Sequence, residues 1–229
     1  MAIAKTTAAH LRHTLGLTLW TLITASTLAL SSLTSGAAND TSTTAATTPS
    51  TTTQNRQTAI FAAGCFWCIE ADLEKLQGVI GAVSGFTGGT LENPTYKGDH
   101  RGHYEAVEVS FDTAIITYEE LLQAYWRNVD PFDADGQFCD RGDSYRGAIF
   151  VADATQRHQA EASKLAIADT LSRRFPSQTI VTPIVAATRF WPVEEYHQNY
   201  AKKNPLRYRF YRGRCGRDKR LETLWPDRK

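Results

Sequence analysis

Half of the four cysteines in this 229-residue chain fall in one short run, Ala62-Ala63-Gly64-Cys65-Phe66-Trp67-Cys68-Ile69-Glu70. Cysteine reacts as its thiolate. A thiol at the start of a helix lies near unpaired backbone N–H groups and the positive end of the helix dipole, and both favour the anion. Residues 58–63 (TAIFAA) form a short apolar run suited to a buried strand, which Gly64 ends. From Phe66 onward the apolar residues Phe66, Ile69, Leu73 and Leu76 recur at helical spacing. Cys65 therefore sits where a strand turns into a helix, and a nucleophilic or redox thiol with a pKa below the usual value of about 8.5 is the direct expectation. Cys68 lies one turn further on the same helix face, so a Cys-x-x-Cys exchange pair is geometrically available. The competing readings are a small buried hydrophobe or half of a permanent disulfide. Structural zinc is disfavoured, because Cys139 and Cys215 stand far apart and supply no second ligand pair.

The segments that must position this run alternate between strand and helix patterns. Strands are predicted at residues 79–86 and 103–111, and in the second Glu105 shares a face with Val107 and Val109. A carboxyl held among apolar neighbours has a raised pKa, which suits it to giving up a proton near neutrality; the plainer alternative is a surface carboxylate. Thr117-Tyr118-Glu119-Glu120 has the form of a capping box opening a helix with Leu121, Leu122, Tyr125 and Trp126 inward, and Pro131 closes that segment. A strand at 146–151, a helix capped by Asp153 and Gln156 that reaches Arg173, and a strand at 179–187 complete the series. Pro183 marks that last strand as a sheet edge or a bulge. Mixed order with three helices implies an α+β domain, a two-layer sandwich of helices on a mixed β-sheet with a ferredoxin-like core.

Several motifs then fall in sequence: Gly64-Cys65-Phe66-Trp67 followed by Glu70, Gly85-Phe86-Thr87-Gly88-Gly89, Asn93-Pro94-Thr95-Tyr96, Gly102-His103-Tyr104-Glu105-Ala106-Val107 and Asp140-Arg141-Gly142-Asp143-Ser144-Tyr145-Arg146. Together they resemble the ordered motif series of the A-type peptide methionine sulfoxide reductases, and Tyr196-His197-Gln198 with Lys203-Asn204-Pro205 resembles the end of the same domain. The resemblance implies that Cys65 attacks the sulfoxide, that Phe66 and Trp67 wall in its methyl group, and that Glu105 protonates its oxygen. It implies further that Tyr96 and Tyr145 direct hydroxyls at that oxygen and that Asp140 supports the site. Attack leaves Cys65 as a sulfenic acid, which condenses with a second thiol. The resemblance favours a C-terminal resolving cysteine, Cys215, between Gly213 and Gly216 in a stretch where a mobile tail can swing; Cys68 and Cys139 remain the alternatives. Cys68 and Phe86 are departures from the commoner family pattern. The resemblance also implies selectivity for the S epimer, a thioredoxin-like dithiol as reductant, and no metal or organic cofactor. A monomer is expected.

Composition narrows the partners. Hydrophobic residues make up 42% of the chain and charged residues 21%, and 25 Lys and Arg face 24 Asp and Glu, so no overall field attracts nucleic acid. The basic residues near the C-terminus, Arg207 to Arg220, are interrupted by Asp218 and read as a solvated tail. Lys5 and Arg12 precede an uncharged apolar run at 15–33 and then small residues at 35–38, the layout of a secretory signal peptide, with an uncleaved membrane anchor as the alternative. An exported, periplasmic enzyme of protein repair is expected. The domain plan is a signal or anchor at 1–38, a Thr/Ser-rich linker at 39–57, a catalytic domain at 58–206 and a tail at 207–229. Two rival functions stand beside this one: a Cys-x-x-Cys disulfide oxidoreductase of the cell envelope, and a non-catalytic envelope protein with two structural disulfides.

Overall fold

The computed structural model describes residues 55–227. The expected leader or anchor at 1–38, and all of the 39–57 segment except its last three residues, lie outside the described residues. No described helix is long and apolar enough to cross a membrane.

Strand β1 (Arg56–Ala63) begins two residues before the predicted start and runs up the middle of a six-stranded sheet. Its neighbours are β3 (Tyr104–Asp112) and β6 (Gly147–Val151), both antiparallel to it, with Phe61 opposite Val107 and Ala63 opposite Gly147. Beyond β3 lies β2 (Val79–Thr87), and the order β7-β6-β1-β3-β2-β8 is completed by two short edge strands, β7 (Ile184–Ala186) and β8 (Trp191–Pro192). Because β6 and β7 are parallel while the other pairs are antiparallel, the sheet is mixed.

Three helices cover one face of this sheet. Helix α1 (Phe66–Leu73) buries Phe66, Ile69 and Leu73 against it, and α2 (Tyr118–Trp126) buries Leu121, Leu122, Tyr125 and Trp126. The third, α3 (Ala154–Ser172), contributes Ala160 to the same core. Opposite them stand Ala59, Phe61, Ala63, Val107, Val109 and Ile149, the alternate residues of three central strands, as a period of two requires. Both predicted caps are present. The Thr117 hydroxyl accepts from the Glu120 N–H while the Glu120 carboxylate accepts from the Thr117 N–H, and Asp153 accepts from the Gln156 N–H. The result is the expected α+β two-layer domain.

Two stretches differ from expectation. Of the strand predicted at 179–187, only Ile184–Ala186 pairs with the sheet. Upstream of it Pro183 has no N–H for a ladder, the Thr182 carbonyl accepts from Lys164 Nζ (2.7 Å), and the Val181 N–H donates to the Pro131 carbonyl (2.9 Å). The basic C-terminal stretch is not a solvated tail. It forms a short α4 (Tyr200–Lys203), then α5 (Pro205–Arg214) and α6 (Arg217–Leu224). Leu221, Leu224 and Trp225 are buried with Leu171 of α3, and the Trp225 indole N–H donates to the Trp126 carbonyl (3.1 Å). Gly216, at φ +69, is the left-handed joint that turns α5 into α6.

Candidate active site

The turn from β1 into α1 requires the glycine before Cys65. Gly64 has φ +78, and a Cβ there would stand 2.6 Å from the Gln137 Cβ. Gln137 belongs to a small hairpin of β4 (Gly136–Gln137) and β5 (Asp140–Arg141), whose tip carries Cys139 and Asp140 to the same place. A single helical turn at Asp143–Tyr145 follows and brings in Tyr145.

Cys65 is the N-cap residue of α1 and is only 4% exposed. Its sulfur makes no capping bond. The first free amide of the helix, the Phe66 N–H, donates instead to Oε2 of Glu105 (3.1 Å), which stands on β3 opposite Phe86 of β2. Glu105 is buried on the helix-bearing face with Val107 and Val109. Burial pushes its pKa up to about 8, against the Phe66 amide that favours the anion.

This placement reverses the expected order of thiol ionisation. The sequence places the anion on Cys65, but burial, the hydrogen bond with Cys68 and the nearby Glu105 all push the Cys65 pKa up. Cys68 is also buried, yet the bond from Cys65 and the positive charges of Arg217 and Arg212 bring its pKa down to about 7. The two sulfurs are hydrogen-bonded partners, so one proton leaves the pair near neutrality and the charge rests mainly on Cys68.

The aromatic residues form a continuous wall. Phe66 is fully buried and packs against Phe86 (6.0 Å between ring centroids) and Tyr96 (6.0 Å). Trp67 is partly exposed, stacks on Tyr200 of α4 at 3.9 Å, and meets Tyr211 of α5 edge-on. Its indole N–H donates to Nδ1 of His197 (3.1 Å), which fixes the neutral tautomer with its hydrogen on Nε2. His197 is buried, with its ring 4.0 Å from that of Tyr96, and desolvation lowers its pKa. Tyr96, half-buried, has its pKa raised to about 12 by burial and by Glu105. Burial also raises Tyr145 and Asp140. Cys65, Glu105, Tyr96, Tyr145 and Asp140 all lie within electrostatic reach of one another, so six of the residues singled out in the sequence, Phe66 included, converge on one site.

The remaining cysteines are paired. Cys139 and Cys215 form a disulfide, and Cys65 and Cys68 are free thiols. The swinging, unpaired Cys215 expected from the flanking glycines is therefore absent in this state. It caps α5 and is bonded to the hairpin tip, with its sulfur 3.8 Å from Asp140 Oδ2. One disulfide beside two free thiols does not match a protein stapled by two structural disulfides.

Three residues near the site were missed in the sequence or assigned elsewhere. The Tyr211 hydroxyl donates to Asp140 Oδ2 (2.5 Å) and reaches the Cys65 sulfur. Its signal was present: Tyr208, Tyr211, Arg212 and Cys215 fall on one helical face. His197 has no local spacing that marks it as part of the site, whereas His103 of the Gly102–Val107 motif holds a loop by accepting from the Gly89 N–H (3.3 Å) and bonding to the Leu91 carbonyl (2.8 Å). Glu70 of the first motif is buried, with its pKa raised to about 7 by desolvation, and accepts the Asn199 N–H (3.0 Å) just before Tyr200.

Comparison with known proteins agrees with this constellation. A family model described as peptide methionine sulfoxide reductase matches residues 57–229. A peptide methionine sulfoxide reductase of Caulobacter vibrioides is 51% identical over 172 residues, covering 74% of this chain and 85% of that protein. One from Rhizobium meliloti is 46% identical over 173 residues, 75% of this chain and 85% of that protein. The solved structure of methionine sulfoxide reductase A of Corynebacterium diphtheriae superposes with a TM-score of 0.62 at 30% identity, covering 67% of this chain and 77% of that one. With a buried thiol, a buried acid and an aromatic wall in one place, the chain belongs to the A-type peptide methionine sulfoxide reductase family, oxidoreductases that reduce methionine sulfoxide by cysteine chemistry.

Proposed function

We propose that the chain reduces the S epimer of methionine sulfoxide through Cys65, with Cys68 as the first resolving thiol. The observation that carries the reading is the pair of free, buried thiols Cys65 and Cys68 at the start of α1, beside the buried Glu105 carboxyl that accepts the Phe66 N–H. Phe66 and Trp67 enclose the substrate methyl group, and the Tyr96 and Tyr145 hydroxyls donate to its oxygen. Cys65 attacks as thiolate while Glu105 gives that oxygen a proton. The sulfur–oxygen bond of the substrate breaks, the oxygen ends on Cys65 as a sulfenic acid, and methionine leaves. Cys68 then displaces that oxygen as water and forms the Cys65–Cys68 disulfide, and an external thioredoxin-like dithiol restores both thiols. Cys215 is the less favoured resolver because Cys139 already holds it.

The test is a single turnover. The enzyme, with Cys65 and Cys68 reduced, is mixed with each sulfoxide epimer without reductant, quenched with an alkylating agent, and mapped by peptide mass. A Cys65–Cys68 disulfide and one methionine per enzyme from the S epimer alone are expected. A Cys65–Cys215 disulfide would remove Cys68 from its role, and turnover of the R epimer would overturn the selectivity.

His197 orients the indole that faces the substrate. His197→Phe removes the acceptor of the Trp67 N–H, a bond worth about 1 kcal/mol or roughly fivefold in binding. Steady-state kinetics should show KM for the sulfoxide rising by about that factor with kcat little changed; a fall confined to kcat would contradict the positioning of Trp67.

Export belongs to the same proposal. Lys5 and Arg12 followed by the apolar run at 15–33 support delivery to the periplasm, either released or tethered by that run.

A further inference from the structure

Arg217, the first residue of α6, is only 1% exposed. Its Nη1 donates to the Ala63 carbonyl (3.1 Å), two residues before Cys65, and its Nη2 donates to the Asn128 carbonyl (2.6 Å). Nε has no hydrogen-bond partner. The ring of Phe138 lies 4.5 Å from the guanidinium, and Phe138 holds φ +57, a left-handed conformation unfavourable for a bulky side chain. Among the described residues no carboxylate forms an ion pair with Arg217. The neighbouring arginines differ: Arg212 pairs with Asp72 (2.8 Å) and Asp218 (2.7 Å), and Arg220 pairs with Asp130 (2.6 Å).

A guanidinium does not lose its proton in a protein, so a buried one requires a negative partner or a heavy desolvation cost. The ionisable groups around it come from five elements. The turn into α1 and α1 itself supply Cys65, Cys68 and Asp72, the last already paired with Arg212. Helix α2 supplies Tyr125, whose hydroxyl donates to the Ala62 carbonyl and whose pKa burial raises. Strand β5 supplies Asp140, held by Tyr211 of α5, and β3 supplies Glu105, protonated at neutrality. Arg217 favours the anion on both Cys68 and Asp140; burial still leaves Asp140 above its usual value, whereas Cys68 falls below its own.

We propose that Arg217 is a positioning residue of the reduction: its buried guanidinium is the countercharge against which the Cys65–Cys68 pair gives up its first proton. The C-terminal helix thus supplies the positive charge that the N-terminus of α1 spends on Glu105. The negative charge is shared across the sulfur–sulfur hydrogen bond, and Cys65 attacks from the deprotonated pair. This deepens the proposed function and rests on Cys65 as nucleophile, which Cys65→Ser tests independently.

The experiment follows thiolate absorbance at 240 nm from pH 5 to 9, with the Cys139–Cys215 disulfide intact, alongside the pH profile of kcat/KM. The wild type should show one thiolate forming near pH 7. Arg217→Gln keeps hydrogen-bond donors without the charge; its midpoint should rise by at least about one unit, which lowers the thiolate fraction and the activity at pH 7 about fivefold or more and moves the activity maximum to higher pH. Arg217→Lys should restore the wild-type midpoint. An unchanged midpoint in Arg217→Gln with activity lowered equally at every pH would reduce Arg217 to a structural role and overturn the proposal. Should Arg217→Gln fail to fold, the wild type alone decides: no thiolate below pH 8.5 means that no countercharge acts on the pair.

Discussion

Cys65→Ser should abolish methionine sulfoxide reduction, by at least about 10⁴-fold in kcat/KM, because a hydroxyl at this position has no base to activate it and forms no sulfenic acid. Serine replaces sulfur with a smaller oxygen at a site 4% exposed, so the fold should survive, with an unchanged circular dichroism spectrum. The assay is methionine release from the sulfoxide with excess dithiol. Cys68→Ser gives the contrasting result. It should retain the first turnover, because the proposed mechanism puts attack and oxygen transfer at Cys65, and in excess dithiol it continues by direct thiol attack on the sulfenic acid. Loss of the first turnover in both variants would mean that the pair acts as one unit in the chemical step. Retention of more than about one per cent of activity in Cys65→Ser would remove Cys65 from the centre of the mechanism.

The site was legible wherever its residues obey local rules. Glu105 declared its buried face through Val107 and Val109, since a strand returns to the same face every second residue, and the structure buries all three together. The start of α1 followed from Gly64 and the spacing of Phe66, Ile69 and Leu73. Long-range placement was not legible. Nothing local to Cys139 or Cys215 shows that they meet, because the contact depends on α5 folding back over the hairpin tip. The C-terminal helices were hidden by composition. Their arginines make the stretch read as solvated, yet Arg212 and Arg217 point inward and only Leu221, Leu224 and Trp225 carry the apolar signal. The ionisation order failed for a related reason: a helix N-terminus favours whichever anion reaches it, and a strand residue thirty-nine positions away from Phe66 reaches it before the adjacent thiol.

That competition explains how one short turn holds both an acid and a nucleophile. With Glu105 protonated up to about pH 8 and the thiol pair ionised from about pH 7, there is a window in which the carboxyl keeps its proton while the thiol pair has lost one. Separate environments create it. Apolar burial acts on the carboxyl, and positive charge from the C-terminal helices acts on the sulfurs.

Glu105→Gln should therefore lower kcat by about 10²- to 10³-fold and alter the shape of its pH profile. Glutamine matches glutamate in shape and can still accept the Phe66 N–H, so α1 and Cys65 should hold their positions, but an amide has no acidic proton to transfer. In the wild type, Glu105 loses its proton as pH rises through about 8, so the rate falls on the alkaline side. On the acid side the rate falls as the thiol pair is protonated below about 7. The variant has nothing to lose at pH 8 and should keep its reduced rate to higher pH, while the acid limb stays in place because Glu105 is already uncharged below pH 7. The measurement is kcat against pH from 5.5 to 9.5 with a saturating dithiol, and KM should change little because the proposed mechanism assigns the substrate's methyl group to Phe66 and Trp67 and not to Glu105. A variant that still loses activity through pH 8 would assign the alkaline limb to another group and leave Glu105 as a cap on α1 without a role in proton transfer.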